Sequence, residues 1–211
     1  MYLPAHFEET RSEVLHALMR DHPLATLVVH GPDGLAAHHL PLCFAAGAAP
    51  LGALQGHVAR ANPLWHQSAN AEVLAIFHGP QAYVSPSWYA TKREHGKAVP
   101  TWNYAVVHVH GRLRTIEDPA WLRSQLESLV ARHEAGFGEP WGIADAPPDY
   151  IDKMLTAIVG IEVAITALKG KWKISQNQPP ANRAGVVAGL HRQGTPDAAR
   201  MAALVAGTLK P

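Results

Sequence analysis

Residues 101–116, with the sequence TWNYAVVHVHGRLRTI, constrain the fold more than any other segment because they predict one long β-strand. Side chains alternate between the two faces of a strand. One face would carry Trp102, Tyr104, Val106, His108 and His110, and the other Thr101, Asn103, Ala105, Val107 and Val109. Two aromatic rings and two imidazoles in one row are unusual for a face that meets only solvent.

The remaining elements follow from hydrophobic periodicity and from proline and glycine punctuation. Further strands are predicted at residues 24–30, 35–45, 51–59, 72–85 (interrupted) and 159–174. Helices are predicted at residues 7–20, within 60–70, at 118–135, about 150–155, 179–190 and 196–209. Pro41 lies inside a predicted strand, which indicates an edge or a bulge. The polar segment 86–100 predicts a long loop, and such loops are often functional.

The order of these elements predicts an α+β fold. Strands joined by tight turns come first, and helices enter late in the chain. About six antiparallel strands must cover their edges, which favours a barrel with peripheral helices. The sequence contains no internal repeat and no linker, so we expect a single domain over residues 1–211 with a C-terminal helical segment at about 179–211.

Composition narrows the classes of partner and compartment. The formal net charge of the 211 residues is +1, which does not support a broad nucleic-acid or membrane footprint. No apolar run approaches the ~20 residues of a membrane span, and the N-terminal residues do not resemble a signal peptide. The single cysteine, Cys43, excludes an internal disulfide and cysteine-rich zinc sites. We therefore expect a cytoplasmic protein that does not enter the membrane.

Residues 56–63, GHVARANP, connect a predicted strand to a short helix. Free backbone N–H groups at such a junction suit an anion, and the guanidinium of Arg60 suits phosphate oxygens. His57 and Asn62 would add donors. The alternative is a plain strand-to-helix connection with a surface arginine.

Residues 169–177, KGKWKISQN, end the last long strand. Alternation there separates Lys171, Lys173 and Ser175 from Trp172, Ile174 and Gln176. The lysine face could hold an anion or a ring edge, or it could be a solvated basic strand.

The catalytic and metal-binding motifs of the sequence do not assign a chemistry to it. His108 and His110 could form a two-histidine pair, but no third ligand follows from the spacing, so we predict no metal site. The sequence has no dinucleotide fingerprint, P-loop, nucleophile elbow or H-E-x-x-H motif. No pair of carboxylates stands out, so catalytic residues remain unknown.

Four blocks of the sequence, spread between Met1 and about Asn182, resemble the PaiB family. They are MYLPAHFEE, GHVARANPLW, SPSWYATKREHGKAVPTWNYAVVHVHG and KGKWKISQNQP. The family is described as FMN-binding negative transcriptional regulators. Its fold is the FMN-binding split barrel shared with pyridoxamine phosphate oxidase. The resemblance implies FMN as the cofactor and a homodimer with flavin at the subunit interface.

The resemblance also implies a set of cofactor-binding residues. Arg60 becomes the expected phosphate ligand, with His57, Ala61 and Asn62 as its neighbours. Leu40, Pro41 and Leu42 would lie along the ring system, and Trp102 and Asn103 would reach the site, from either subunit. Lys171, Ser175 and Gln176 match the closing block of the family and are included in this set, although the resemblance defines their role less closely. Asn182 stands where family members often carry an acidic residue, so a role for that position is not carried over.

The expected function is therefore an FMN-binding negative transcriptional regulator of the PaiB type. One alternative is a flavin-dependent oxidoreductase that uses NAD(P)H. A further alternative is a haem-binding protein that uses one of the 14 histidines. No helix-turn-helix is evident and the C-terminal helices carry few basic residues, so DNA binding follows from the family resemblance alone.

Overall fold

The computed structural model describes residues 1–47 and 50–209. The described strands are β1 (Glu8–Glu9), β2 (Leu24–Gly31), β3 (Gly34–Pro41), β4 (Cys43–Ala45), β5 (Ala53–Ala59), β6 (Glu72–Val84), β7 (Thr101–Ile116) and β8 (Ile158–Lys173). The described helices are α1 (Ser12–Asp21), α2 (Leu64–Gln67), α3 (Lys92–His95), α4 (Pro119–Glu134), α5 (Pro148–Thr156), α6 (Pro180–Gln193) and α7 (Pro196–Gly207). Short 3₁₀ turns occur at Ala5–Phe7, Pro86–Trp88 and Ile143–Asp145.

The described strands form one eight-stranded sheet. Seven of them follow the order β3-β2-β6-β7-β8-β5-β4, and β1 pairs with β8. Strands β2 and β3 form an antiparallel hairpin in which Gly31 faces Gly34 across a two-residue turn. Strand β5 pairs antiparallel with β8, with Gly56 opposite Ile161. Strand β3 lies at one end of the order, so Pro41 occupies an edge strand, as its sequence predicted.

The chain divides by its contacts into two compact units. Unit 1 comprises Met1–Leu18, His78–His108 and the chain from Lys169 onward, and unit 2 comprises Met19–Phe77 and Val109–Leu168. The long strands β6, β7 and β8 each supply residues to both units. The expectation of a single domain over residues 1–211 remains a prediction.

Each unit has its own buried apolar side chains. In unit 2, side chains of the sheet such as Leu54, Phe77 and Ile161 are fully buried. Helices α4 and α5 enclose a cluster in the same unit, formed by Leu122, Ile143, Ile151 and Leu155. In unit 1, Leu190 of α6 and Met201 of α7 are fully buried where the two C-terminal helices pack together. Removal of this apolar surface from water is the main stabilising contribution to each unit.

The two predicted faces of strand β7 differ in burial at most positions. Asn103, Ala105, Val107 and Val109 are buried at 0–2% exposure, whereas Trp102 on the other face is 54% exposed; Val106, also on that other face, is buried at 6%. The predicted helix cap is also present, because the Asp118 carboxylate accepts a 3.0 Å hydrogen bond from the Ala120 N–H at the start of α4.

Several predicted boundaries are wrong, and tertiary pairing explains the clearest one. Phe7 does not belong to the first helix but to a 3₁₀ turn, because Glu8 and Glu9 extend to pair with Lys171 and Gly170 of β8. Strand β6 is continuous rather than interrupted. The predicted strand 35–45 is split into β3 and β4, and the predicted turn near Tyr150 is the nine-residue helix α5.

Candidate functional site

Arg60 lies in unit 2 between the end of β5 and the start of α2, as the sequence predicted. Its Nε donates to the Thr156 carbonyl at 2.8 Å and its Nη2 to the Ile158 carbonyl at 3.2 Å. Its Nη1 donates to Glu117 Oε2 at 2.6 Å. The guanidinium carbon also lies 5.8 Å from the centre of the Trp65 ring. The side chain is therefore held in one place by protein groups.

The same region keeps donors that a phosphate or a ring oxygen could use. Three of the five N–H groups of Arg60 meet described acceptors, which leaves two. The His57 Nδ1 lies 3.0 Å from Gln125 Oε1, and Gln125 Nε2 is buried with no hydrogen-bond partner among the described residues. Arg60 also lines a cavity of about 420 Å³ that includes Leu122 and Leu155 together with the carboxylates of Glu117 and Asp152, whereas His57 and Gln125 are not part of its described lining. The two remaining N–H groups of Arg60 are the donors in this cavity that suit the phosphate of FMN.

The other predicted neighbours of Arg60 have different environments. Asn62 Oδ1 accepts a 2.9 Å hydrogen bond from the Leu64 N–H at the start of α2, which is a structural contact. Ala61 is exposed and offers no side-chain donor. Of the three residues expected along the ring, Leu40 is half-buried, Pro41 is exposed and Leu42 is buried. A Cβ atom at Gly56 would lie 2.8 Å from the Pro41 carbonyl oxygen, so the glycine allows a close approach of the two backbones.

Unit 1 brings a second group of predicted residues together around a cavity of about 290 Å³. Asn103 and Ser175 are both buried on its wall, and the Asn103 amide donates to Ser175 Oγ at 2.9 Å. Lys173 lies beside them, and its ammonium group donates to Thr101 Oγ1 and to the Trp102 carbonyl, the latter at 3.0 Å. Lysine, amide and hydroxyl groups therefore converge here, a donor set suited to an anion or to a ring edge.

Two further predicted residues of unit 1 do not line this cavity. Lys171 is 7% exposed, and its ammonium group lies 5.6 Å from the Tyr2 ring and 5.4 Å from the Tyr104 ring. It also donates to the Tyr2 carbonyl at 3.0 Å. The alternative of a solvated basic strand is therefore wrong for Lys171. The Gln176 amide is bonded to the backbone of Trp172 and Ile174.

Trp102 lies on the exposed face of β7 and forms an edge-to-face contact with Tyr83, with 6.1 Å between ring centres. Tyr83 is 41% exposed, so the pair presents aromatic surface to solvent. Such a pair can stack on a planar ligand or pack against another protein chain.

The structure adds residues that sequence reasoning did not assign to a site. The cavity of unit 1 also includes Tyr89, Thr91, Lys97, Asn177, Gln178 and Asn182. Burial raises the pKa of the Tyr89 hydroxyl, so the group stays protonated. Asn182 Oδ1 accepts from the Thr91 N–H at 3.1 Å, which ties helix α6 to the loop. The sequence did contain a hint of their role. Most of these residues lie in the predicted long loop or in the closing block that resembles the PaiB family.

The described part of the chain contains neither a cluster of metal-ligating side chains nor a helix suited to a membrane. Within residues 1–47 and 50–209, no group of three or more His, Cys, Asp or Glu side chains is placed to hold a metal ion. None of the helices in those ranges has the length and hydropathy that a bilayer crossing needs.

Comparison with known proteins identifies the family. The family model described as "Putative FMN-binding domain" matches residues 1–167. The protease synthase and sporulation protein PAI 2 of Bacillus subtilis is 31% identical over 100% of this chain and 99% of its own length. An uncharacterised protein of Emericella nidulans is 34% identical over 92% of each chain.

Solved structures identify the fold. The flavocytochrome Anf3 from Azotobacter vinelandii superposes with a TM-score of 0.62 at 16% identity, over 79% of this chain and 69% of that one. The predicted antiparallel split-barrel fold is thereby confirmed. The family match also confirms FMN as the cofactor predicted for such a chain. This protein belongs to the PaiB family of FMN-binding domains.

Proposed function

We propose that this protein holds FMN with the phosphate at Arg60 and acts as a negative transcriptional regulator of the PaiB type. The observation that carries the cofactor placement is the guanidinium of Arg60, which lines a cavity and keeps two N–H donors.

The ion pair with Glu117 is compatible with this placement. The Arg60 and Glu117 side chains are 39% and 57% exposed, and an exposed pair of this kind contributes only about 0–1 kcal/mol. A phosphate offers the guanidinium two parallel charge-assisted hydrogen bonds, which are stronger than a single contact to a mobile carboxylate. Glu117 can therefore turn into solvent when the phosphate binds.

The ring system of FMN needs apolar and aromatic surface, which the proposal assigns to Leu40–Leu42 and to the exposed Trp102 of a second copy of the chain. The proposal does not include the predicted Asn103, because its buried amide lines the unit 1 cavity and bonds Ser175. The exposed aromatic pair of Trp102 and Tyr83 supports a role in contact with the ring or with a second copy of the chain. We include the homodimer with flavin at its interface in the proposal. Sedimentation of the protein with and without FMN tests it, and a monomer in both states would contradict it.

When bound, FMN supplies reversible electron transfer, while the chain binds and orients it. The regulatory output is supported by the full-length similarity to the Bacillus subtilis protein named for protease synthase and sporulation. The formal net charge of +1 gives no independent support for direct DNA contact. A promoter fragment that is shifted with a steep salt dependence would support DNA binding, and no shift at low salt would argue against it. The cytoplasmic location is part of the same proposal.

Riboflavin, which lacks the phosphate of FMN, provides a direct test of the Arg60 placement. Arg60→Ala should weaken FMN binding about tenfold to a hundredfold, the range of a lost hydrogen bond to a charged group. Riboflavin affinity should stay unchanged, as measured by quenching of flavin fluorescence. Arg112→Ala is the matched control, because Arg112 pairs with Glu72 and neither residue is part of the described lining of this cavity. Equal loss of both ligands, or loss of neither, would overturn the placement.

The two alternatives predicted from sequence are tested on the same preparation. Steady consumption of NAD(P)H by the FMN-loaded protein would support an oxidoreductase. A Soret band after addition of haem would support haem binding, and its loss on replacement of His108 and His110 would identify the ligands.

A further inference from the structure

The cavity of unit 1 has a lining that attracts negative charge. It contains two lysines, Lys97 and Lys173, and several amide and hydroxyl groups, but none of its described lining residues is acidic. The polar lining is formed by Tyr89, Thr91, Thr101, Asn103, Ser175, Asn177, Gln178 and Asn182 together with the lysines.

The positive charge of the cavity is centred on the ammonium group of Lys173. Its ammonium group donates to two neutral oxygens, Thr101 Oγ1 and the Trp102 carbonyl. Over residues 1–47 and 50–209 neither Lys173 nor Lys97 forms an ion pair with a carboxylate. Lys173 is half-buried, so its charge is partly removed from water without a counterion. Such a group gains free energy when an anion enters.

The wall beside Lys173 is fixed before any ligand arrives. Asn103 and Ser175 are 1% and 3% exposed and hydrogen-bond to each other. Ser175 adopts a φ of 63°, a left-handed conformation that costs a non-glycine residue about 1–2 kcal/mol. Strained residues of this kind are concentrated in ligand sites. Asn182, 2% exposed, is held by hydrogen bonds with Thr91, which also lines the cavity.

The volume limits the size of the ligand. About 290 Å³ is at the lower end of the roughly 300–1,000 Å³ of pockets that enclose drug-sized ligands. FMN carries one phosphate, which the proposed function assigns to Arg60. The uncompensated charge of Lys173 is then left for another molecule.

We propose that the unit 1 cavity binds a small organic anion, a carboxylate or a phosphate monoester, as a ligand separate from FMN. The anionic group would lie at Lys173, within reach of the Asn103–Ser175 pair. This assignment rests on the proposed function in one respect, that the FMN phosphate is held elsewhere. It gives the protein a second ligand, which can act as a substrate or an effector of the flavoprotein.

The test titrates FMN-loaded protein with inorganic phosphate and with acetate at constant ionic strength, followed by calorimetry. We expect saturable binding of at least one probe. Lys173→Gln removes the positive charge of the cavity, and Asn182→Asp adds a carboxylate that repels an anion. Each change should weaken the affinity for the probe about tenfold or more. The carboxylate introduced by Asn182→Asp can still accept from the Thr91 N–H, so thermal unfolding should show that this variant folds. Lys92→Gln, a change outside the cavity lining, should bind as the wild type does.

Two results would overturn the proposal. Absence of saturable binding of both probes to the FMN-loaded protein would mean that the cavity takes no separate anion. Loss of FMN affinity without loss of riboflavin affinity in Lys173→Gln would place the FMN phosphate in this cavity instead. The Arg60→Ala comparison of FMN with riboflavin is measured independently, so failure of the proposed function is distinguishable from failure of this inference.

Discussion

The side-chain amide of Asn103 donates a 2.9 Å hydrogen bond to the hydroxyl of Ser175, a residue 72 positions away in the chain. Asn103 is the third residue of β7, and Ser175 is the second residue after β8. Both side chains are buried on the wall of the unit 1 cavity. The contact therefore fixes the end of the closing block against the strand that begins after the long loop.

The left-handed backbone of Ser175 predicts a difference between two substitutions. Ser175→Gly and Ser175→Ala both remove the hydroxyl from Asn103, but only glycine adopts a φ of 63° without steric cost. We expect Ser175→Ala to be less stable than Ser175→Gly by about 1 kcal/mol, measured by denaturant unfolding. Equal stability of the two variants would show that the left-handed conformation is not retained in solution.

Replacement of either of two glycines of α6 by alanine should lower the stability of the fold. A Cβ atom at Gly185 would overlap the carbonyl oxygen of Trp88, and one at Gly189 would overlap the Trp88 indole ring. Alanine normally favours a helix over glycine by about 1 kcal/mol. At Gly189 we expect the reverse, a loss of about 1–3 kcal/mol from overpacking. Gly207→Ala in α7 is the control, because nothing lies within 4 Å of a Cβ there. Thermal unfolding of the variants should show that only the α6 changes destabilise.

The buried carboxylate of Glu162 should make the free energy of unfolding depend strongly on its hydrogen-bond partners. Glu162 is 3% exposed and accepts from Arg114 Nε at 2.7 Å and from Gln55 Nε2 at 2.8 Å. Arg114→Leu should reduce the free energy of unfolding by about 2 kcal/mol, since it leaves a buried charge without its cation. The double variant Arg114→Leu with Glu162→Gln should recover part of this loss. A double variant as unstable as the sum of the single changes would contradict the coupling.

Tyr89 predicts a pH dependence in the alkaline range. Burial raises the pKa of its hydroxyl above the usual value of 10.0, so the folded state keeps the proton to a higher pH than the unfolded state does. The contribution of the protonated Tyr89 hydroxyl to the free energy of unfolding is therefore present below pH 10.0. It is lost as the pH rises through the pKa of the folded state. Tyr89→Phe should therefore lose less stability on alkaline titration than the wild type. Tyr150→Phe, at a site 53% exposed, should follow the wild-type profile.

The period-two pattern of residues 101–116 and the turn signals around it were sufficient to predict the antiparallel sheet. They are local properties, because the alternation of side chains depends only on backbone geometry within one strand. The Asp118 cap and the helix after it were predictable for the same reason. The four sequence blocks identified the family, and with it FMN, through motifs that need no knowledge of strand register.

Local pattern could not decide which side chains meet. Lys171 and Lys173 share one face of the predicted strand, yet Lys171 is buried against Tyr2 and Tyr104 while Lys173 lines a cavity. Likewise, the sequence indicated Arg60 as an anion ligand but gave no sign of its contacts with Glu117, Thr156 and Ile158. These partners lie 57 to 98 residues away. Their positions depend on the pairing register of strands distant in sequence, which only the tertiary structure decides.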